Sequence, residues 1–394
     1  VIDLTSAPQP LVATCTRGLE SVLADELRAM GLAGVSEGRG FVGFSGDLRA
    51  VYEANLRLRT AARVVVPVAR GQVRRRDDLY DLAATVAWHQ LVSRGQTIGV
   101  DVAGRSRAMH NSAFAAQVVK DAVVDSIRDR QGWRPSVDRS QPDLRIHLHL
   151  SDGATTLSLD STGEPLAHRG YRPRGGPAPL SETLAAGVLL LTGYDGSQPL
   201  LDPLCGTGTI AVEAALIATR TPPGLRREFA FEHWSAHDQG VFQELTRAAS
   251  HEHRDAPAPI FARDRNERAV QAATRNLKAA WMNRWVTVEM RDALDLDLPW
   301  TDGGMIVANP PYGKRVGDVK RLANFYKRLG DQLKKKAQGS TAWLLVGNRE
   351  LANRIGLKPT RRIRLFNGPI ECRLLRYELY SGSRKRPPEQ SSES

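Results

Sequence analysis

The sequence predicts an α/β protein: a doubly wound, mostly parallel sheet preceded by a smaller α+β module. Three observations carry this. Leu200-Leu201-Asp202-Pro203-Leu204-Cys205-Gly206-Thr207-Gly208-Thr209-Ile210 reads as strand, glycine turn and helix. Three more short strand-like segments follow, and each ends in a carboxylate or an amide: 259–264 in Asp264, 286–292 in Asp292, 305–309 in Asn309. Before residue 163, half-buried strands and amphipathic helices alternate without any such loop.

Residues 11–60 read as a small α/β unit. Segment 12–15 suits a strand, and 18–30 carries Leu19, Val22, Leu23 and Leu27 at helical spacing. A strand over 40–44, a helix over 48–58 and a strand over 62–68 follow. Next come a helix within 79–91, a strand over 97–102 and a long amphipathic helix over 113–130. Residues 144–150 alternate strictly, which predicts a half-buried strand with His147 and His149 on its polar face. No further ligand is spaced to join these histidines in a metal site. Segment 155–160 closes this half.

Residues 163–180 are rich in Gly, Pro and Arg, the composition of a linker. Ser181 caps an apolar helix running to 192. The stretch 221–257, with Pro and four His, is a long insertion that could cover a ligand or touch a substrate; no metal is assigned to it. A helix over 319–335, a strand over 341–346 and a hairpin turning at Asn367-Gly368-Pro369 complete the sheet. Residues 381–394 are polar, basic and Ser/Pro-rich, so disorder is expected there.

The loops carry the chemistry. Gly206 and Gly208 let a ligand approach the backbone at a helix N-terminus. The loop lacks the Gly-Lys-Ser/Thr of a phosphate loop, and Ala211 stands where a third dinucleotide-binding Gly would be. An acid opening such a loop, Asp202, suits an amine-bearing cation better than a pyrophosphate; S-adenosylmethionine is such a ligand. Asp264 stands where a ribose diol is usually gripped, and Asp292 could accept from an adenine amine. Asn309-Pro310-Pro311-Tyr312 then follows a buried strand. The Asn309 side-chain oxygen and the Pro310 carbonyl can accept both N–H groups of a planar amine. The two prolines fix these acceptors, and Tyr312 offers a face for a base to stack on. Taken singly, each residue could be a helix cap or a surface turn; four at successive strand ends argue otherwise.

Charge points to the partner. Residues 1–165 hold 20 Lys+Arg against 19 Asp+Glu, whereas 314–386 hold 20 against 5. A basic region around an amine-holding turn suits a polyanion, namely nucleic acid. Three Cys without a C-x-x-C pair argue against a zinc site or disulfide framework and fit a reducing cytoplasm. No apolar run reaches the length of a membrane span. No cleavable signal is visible, although the chain begins at Val1.

With these residues in hand, the chain resembles the THUMP-domain guanine exocyclic-amine methyltransferases, in their bacterial large-subunit (23S) ribosomal RNA branch. The matching stretches include Thr16-Arg17-Gly18-Leu19-Glu20, His168-Arg169-Gly170-Tyr171-Arg172, Glu182-Thr183-Leu184-Ala185-Ala186, the Asp202 loop, the Asn309 turn and Phe366-Asn367-Gly368-Pro369. The resemblance covers roughly residues 11–380. It implies a ferredoxin-like module over 1–60, a THUMP RNA-binding domain over 61–162, a linker over 163–180 and a Rossmann-like methyltransferase domain over 181–381. S-adenosylmethionine would be held by Asp202, Cys205, Gly206, Gly208, Asp264, Asp292 and Asn309. The flipped guanine would be held by Asn309, Pro310 and Tyr312. Arg169, Arg172, Arg174, Lys314 and Arg315 are the candidates for touching RNA. Some members carry a second methyltransferase domain, so that activity is expected to be absent or to lie outside these 394 residues. Rival readings are a methyltransferase on transfer RNA, on adenine in DNA or on protein glutamine, and an idle RNA-binding or ribosome-assembly protein.

Overall fold

The structure is a computed structural model, and it describes residues 7–107, 109–173, 180–301, 303–313 and 318–380. The expected disordered tail, Arg174, Lys314 and Arg315 lie outside the described residues.

The first unit runs β1 (Gln9–Cys15), α1 (Glu20–Ala29), β2 (Ala33–Gly38), β3 (Phe41–Gly46), α2 (Leu48–Arg57) and β4 (Ala61–Gly71). The helices start where the sequence supplies caps. Asp47 accepts from Ala50 N at 2.9 Å to open α2. Glu20, at the start of α1, accepts from Gly18 N and Gly40 N, tying two turns to one carboxylate. The sequence reading missed β2, because AGVSEG is largely exposed and has no apolar alternation. It exists as an edge strand paired to β3.

The second unit runs α3 (Arg76–Ala84), α4 (Trp88–Leu91), β5 (Thr97–Gly104), α5 (Ser112–Gln131), β6 (Ser136–Val137), β7 (Leu144–Leu150) and β8 (Thr155–Asp160). The single helix expected over 79–91 is thus two. Helix α5 is capped by Asn111 and stopped by Gly132 at φ 79°. The two units share one eight-stranded sheet, in the order β2-β3-β1-β4-β8-β7-β5-β6. Strand β4 is the seam, pairing with β1 on one side and β8 on the other. His147 is half-buried rather than out in solvent, and burial lowers its pKa, with Asp160 and Arg63 nearby.

The third unit begins with α6 (Glu182–Thr192), β9 (Leu200–Asp202) and α7 (Thr209–Ala218). After a short 3-10 turn (Ala230–His233) come α8 (Gln239–His251), β10 (Ile260–Asp264), α9 (Glu267–Ala279), β11 (Val286–Met290) and β12 (Met305–Ala308). The chain continues through α10 (Asp318–Lys336), β13 (Thr341–Val346), α11 (Arg349–Arg354), β14 (Arg361–Asn367) and β15 (Ile370–Glu378). Its seven strands run β11-β10-β9-β12-β13-β15-β14. The first five are parallel and the terminal hairpin is antiparallel. All four residues of β12 are buried, which is why that run reads as continuously apolar. Each large apolar side chain so buried contributes about 1.5–3 kcal/mol.

Two connections are packed against their neighbours, and the second corrects an expectation. The long insertion packs on the first unit. Tyr52 of α2 sits among Phe231, His237 and Phe242, with ring centroids 4.6, 5.4 and 5.5 Å away. Arg57 grips Glu252 with both guanidinium nitrogens, at 2.8 and 2.7 Å. The described part of the segment taken as a linker, 163–173, is a buried strap. Leu166, Arg169 and Tyr171 are buried, and Leu166 N donates to Ala62 O. Arg227 donates to the carbonyls of Thr162, Glu164, Pro165 and His168 along it. Gly and Pro in this stretch serve tight passage between packed surfaces, not freedom.

Candidate active site

Parallel pairing brings the predicted residues to one edge. Asp202 ends β9, level with Ala262 of β10. Asp264 ends β10, level with Met290 of β11, and Asp292 lies two residues beyond. β12 pairs with β9 from Met305↔Leu200, so Asn309 emerges just past the level of Asp202. The crossover between β9 and β12, whose connections leave in opposite directions, is where open α/β sheets bind ligands.

The glycine loop is built from both neighbours. Gly206 and Gly208 take left-handed φ of 55° and 80°, and Gly208 opens α7. A side chain at Gly208 would meet Ala273 of α9 at 3.0 Å, whereas one at Gly206 would point into open space. Asn276 Nδ2 holds Thr207 O at 2.8 Å. Asp264 Oδ2 accepts from Gly206 N at 3.0 Å and Oδ1 from Asn266 N at 2.9 Å. Asp264 therefore also shapes the loop. Asp292 accepts from Leu294 N at 2.9 Å. Cys205 is buried, and burial pushes its thiol above the usual range, so it contributes shape rather than a thiolate.

Asp202 is 1% exposed and accepts from Leu204 N at 3.1 Å. Burial pushes its carboxyl up to about 8, and the Asp264 carboxylate adds to the rise. A buried carboxylate with one donor among the described residues is incomplete. An ammonium group would complete it. The open space at Gly206 and the carboxylates beyond it fit the rest of S-adenosylmethionine.

The Asn309 turn is braced from below. Tyr312 Oη donates to Asn309 Oδ1, and Asn367 of the terminal hairpin also bonds the Tyr312 hydroxyl. Tyr326 Oη holds the Pro311 carbonyl at 3.0 Å. Gly347, after β13, lies under the Tyr312 ring: a Cβ there would be 2.6 Å from Cδ2. One side of the ring is thus taken by protein. Gly347 and Asn367 were not singled out as site residues by sequence reasoning. Asn367-Gly368 belongs to a stretch that carries the resemblance, but its local pattern signals a hairpin turn, and a lone Gly after a strand signals nothing.

Two candidate RNA contacts are corrected. Arg169 is 4% exposed, pairs with Glu213 at 3.4 Å and donates to the carbonyls of Leu166 and Arg59. Arg172 bonds Thr209 and lies 3.5 Å from Glu182. The Arg169 guanidinium is spent inside the protein, whereas Arg172 is half-buried and its Nε has no hydrogen-bond partner among the described residues. Both residues couple the strap to α7, the helix behind the glycine loop.

Residues 10–65 match the RlmL ferredoxin-like domain, 73–160 the THUMP domain and 169–376 the RMKL-like methyltransferase domain. Slr0064 of Synechocystis, described as an RNA methyltransferase, is 38% identical over 95% of this chain and 98% of its own. The ribosomal RNA large subunit methyltransferase K/L of Syntrophotalea carbinolica is 39% identical over 95% of this chain and 54% of its own. The chain thus spans about half the length of the K/L relatives it matches. Among solved structures, a protein of Clostridium difficile 630 described as "a possible methylase" superposes with TM-score 0.87 at 26% identity, covering 96% of this chain and all of its own. SMU.472, solved with S-adenosylhomocysteine bound, gives 0.87 at 26% over the same shares. A Listeria monocytogenes protein described as an N6-adenine-specific DNA methylase gives 0.86 at 28%, covering 95% and 97%. On this sequence and this architecture, the chain belongs to the THUMP-bearing, RMKL-like family of S-adenosylmethionine-dependent RNA methyltransferases.

Proposed function

We propose that the protein methylates the exocyclic N2 amine of a guanine in large-subunit (23S) ribosomal RNA, in the cytoplasm. The observation that carries this reading is the Asn309-Pro310-Pro311-Tyr312 turn at the carboxyl end of β12, beside the Asp202 loop on β9. The name of the K/L relatives supports the substrate.

The amine of guanine is a poor nucleophile, because its lone pair is delocalised into the ring. Asn309 Oδ1 and the Pro310 carbonyl would accept its two N–H bonds. That favours a pyramidal nitrogen with its lone pair free for in-line attack. S-adenosylmethionine supplies an electrophilic methyl on a sulfonium. The positive charge that would develop on the amine nitrogen would be stabilised by the same two acceptors. The resulting cation is acidic and loses its proton to water, so no strong base is required. Tyr312 Oη already donates to Asn309 Oδ1, which orients that oxygen before a base arrives.

The test uses tritiated S-adenosylmethionine with unmodified ribosomal RNA transcripts, digested to nucleosides. Label in N2-methylguanosine from the large-subunit transcript is the expected result. The likeness to the Listeria protein favours a second reading, an adenine N6 amine in DNA. Label in N6-methyladenine from duplex DNA, and none in RNA, would replace the first reading with the second.

A further inference from the structure

Among the described residues only two other than glycine adopt left-handed φ, Arg220 at 55° and Trp281 at 60°. Both stand one residue beyond a helix C-cap, Arg220 after α7 and Trp281 after α9. Glycine usually fills that position, because a Cβ strains it. The hydrogen bonds are those of a tight helix stop: Trp281 N to Lys278 O at 3.0 Å and Met282 N to Leu277 O at 2.8 Å. Trp281 nevertheless remains 69% exposed. Strain held at an exposed aromatic points to use rather than to stability.

The surroundings say what kind of use. The Arg226 guanidinium lies 3.5 Å from the Trp281 ring centroid, and Arg226 Nη1 reaches Ala279 O. One face of the indole is therefore backed by a cation, and the residue's exposure leaves the ring accessible. Segments 220–228 and 275–285, which meet here, contain Arg220, Arg226, Arg275, Lys278 and Arg284, besides Arg227, which is engaged by the strap, against one acid, Glu228. Asp255 is occupied by Trp285 Nε1 and Arg284. Arg226 also lines a cleft of about 1210 Å³. Asn367 and Gly368 line the same cleft, and Asn367 bonds the Tyr312 hydroxyl. Arg226, which backs Trp281, and Asn367, which braces the acceptor turn, thus share one cleft.

We propose that Trp281, backed by Arg226, is a stacking site for an unpaired nucleobase of the RNA substrate, away from the base that is methylated. The site rests on the reading of this protein as an RNA methyltransferase and adds a second grip on the same strand. An exposed indole stacks on any base, and the arginines around it meet the adjoining phosphates.

The test measures binding of a fluorescein-labelled single-stranded RNA of about twelve nucleotides by anisotropy, with wild type, Trp281→Gly and Arg226→Ala. Trp281→Gly relieves the backbone strain, so its melting temperature should equal or exceed that of wild type. Its RNA affinity should nevertheless fall about tenfold. Arg226→Ala should weaken binding as well and flatten its salt dependence. Affinity unchanged in Trp281→Gly would overturn the site and turn attention to a protein partner for this patch. Tritium transfer to ribosomal RNA by wild type keeps the two readings apart. Transfer with unchanged Trp281→Gly affinity sinks the stacking site alone. Neither transfer nor RNA binding by wild type sinks both.

Discussion

Asp202 is the residue whose titration reports on the site. Its carboxyl is raised from 3.8 to about 8 by burial, so the folded protein holds a proton there that the unfolded chain has released. That contribution favours the folded state below about pH 4 and is lost progressively as pH rises to about 8. Cofactor binding has the opposite slope. An ammonium partner needs the carboxylate, so binding below pH 8 must expel the proton. Affinity for S-adenosylmethionine should therefore rise toward about tenfold per pH unit between 6 and 8. Calorimetry in buffers of different ionisation heat should show about one proton released per site at pH 6.5. Asp202→Asn should bind more weakly and lose this slope; an unchanged slope would remove Asp202 from the cofactor site. Asn309→Ala should behave differently. Although the resemblance also counts Asn309 among the cofactor residues, turnover should fall by at least about a hundredfold while cofactor affinity stays within twofold, because its side-chain oxygen serves the acceptor amine. Weakened cofactor binding in this variant would contradict the assignment.

At the scale of elements, the acceptor turn depends on strands beyond its own. The Tyr312 ring rests on Gly347 after β13, and its hydroxyl meets Asn367 of β14. Gly347→Ala places a methyl 2.6 Å from the ring, so the tyrosine must move. Turnover should drop about tenfold or more with unchanged cofactor affinity, since displacing a positioned group by about an ångström is enough for that. Normal turnover would show that the tyrosine's position is not critical. This support was not legible in the sequence. The four strand ends were, because each couples an apolar run to a polar terminus within a few residues. Gly347 and Asn367 act on Tyr312 across about 35 and 55 residues of chain. No local pattern encodes such a contact. Arg169 and Arg172 misled for a related reason. A Gly- and Pro-rich context reads as an exposed linker, but Glu213 and Glu182, which bind these arginines, lie on helices that looked merely apolar. Strand β2 escaped notice because pairing with β3, not its own composition, makes it a strand.

For the whole molecule, the Arg169–Glu213 pair has a measurable worth. Glu213 is fully buried, and removing its partner would strand a carboxylate between the strap and α7. Arg169→Leu should destabilise the protein by about 3 kcal/mol, read as a lower chemical-denaturation midpoint. A loss below about 1 kcal/mol, together with weaker RNA binding, would return Arg169 to the surface role first expected of it. The same fastening has a further consequence. Because α8 rests on α2 and the strap is locked on both sides, the THUMP sheet and the methyl-acceptor turn keep one separation. The enzyme is a caliper. On the proposed function, it should choose its target base by distance from an RNA element gripped by the N-terminal half. Adding base pairs between that element and the target should silence the natural target, or move the mark to whichever base then falls between the jaws.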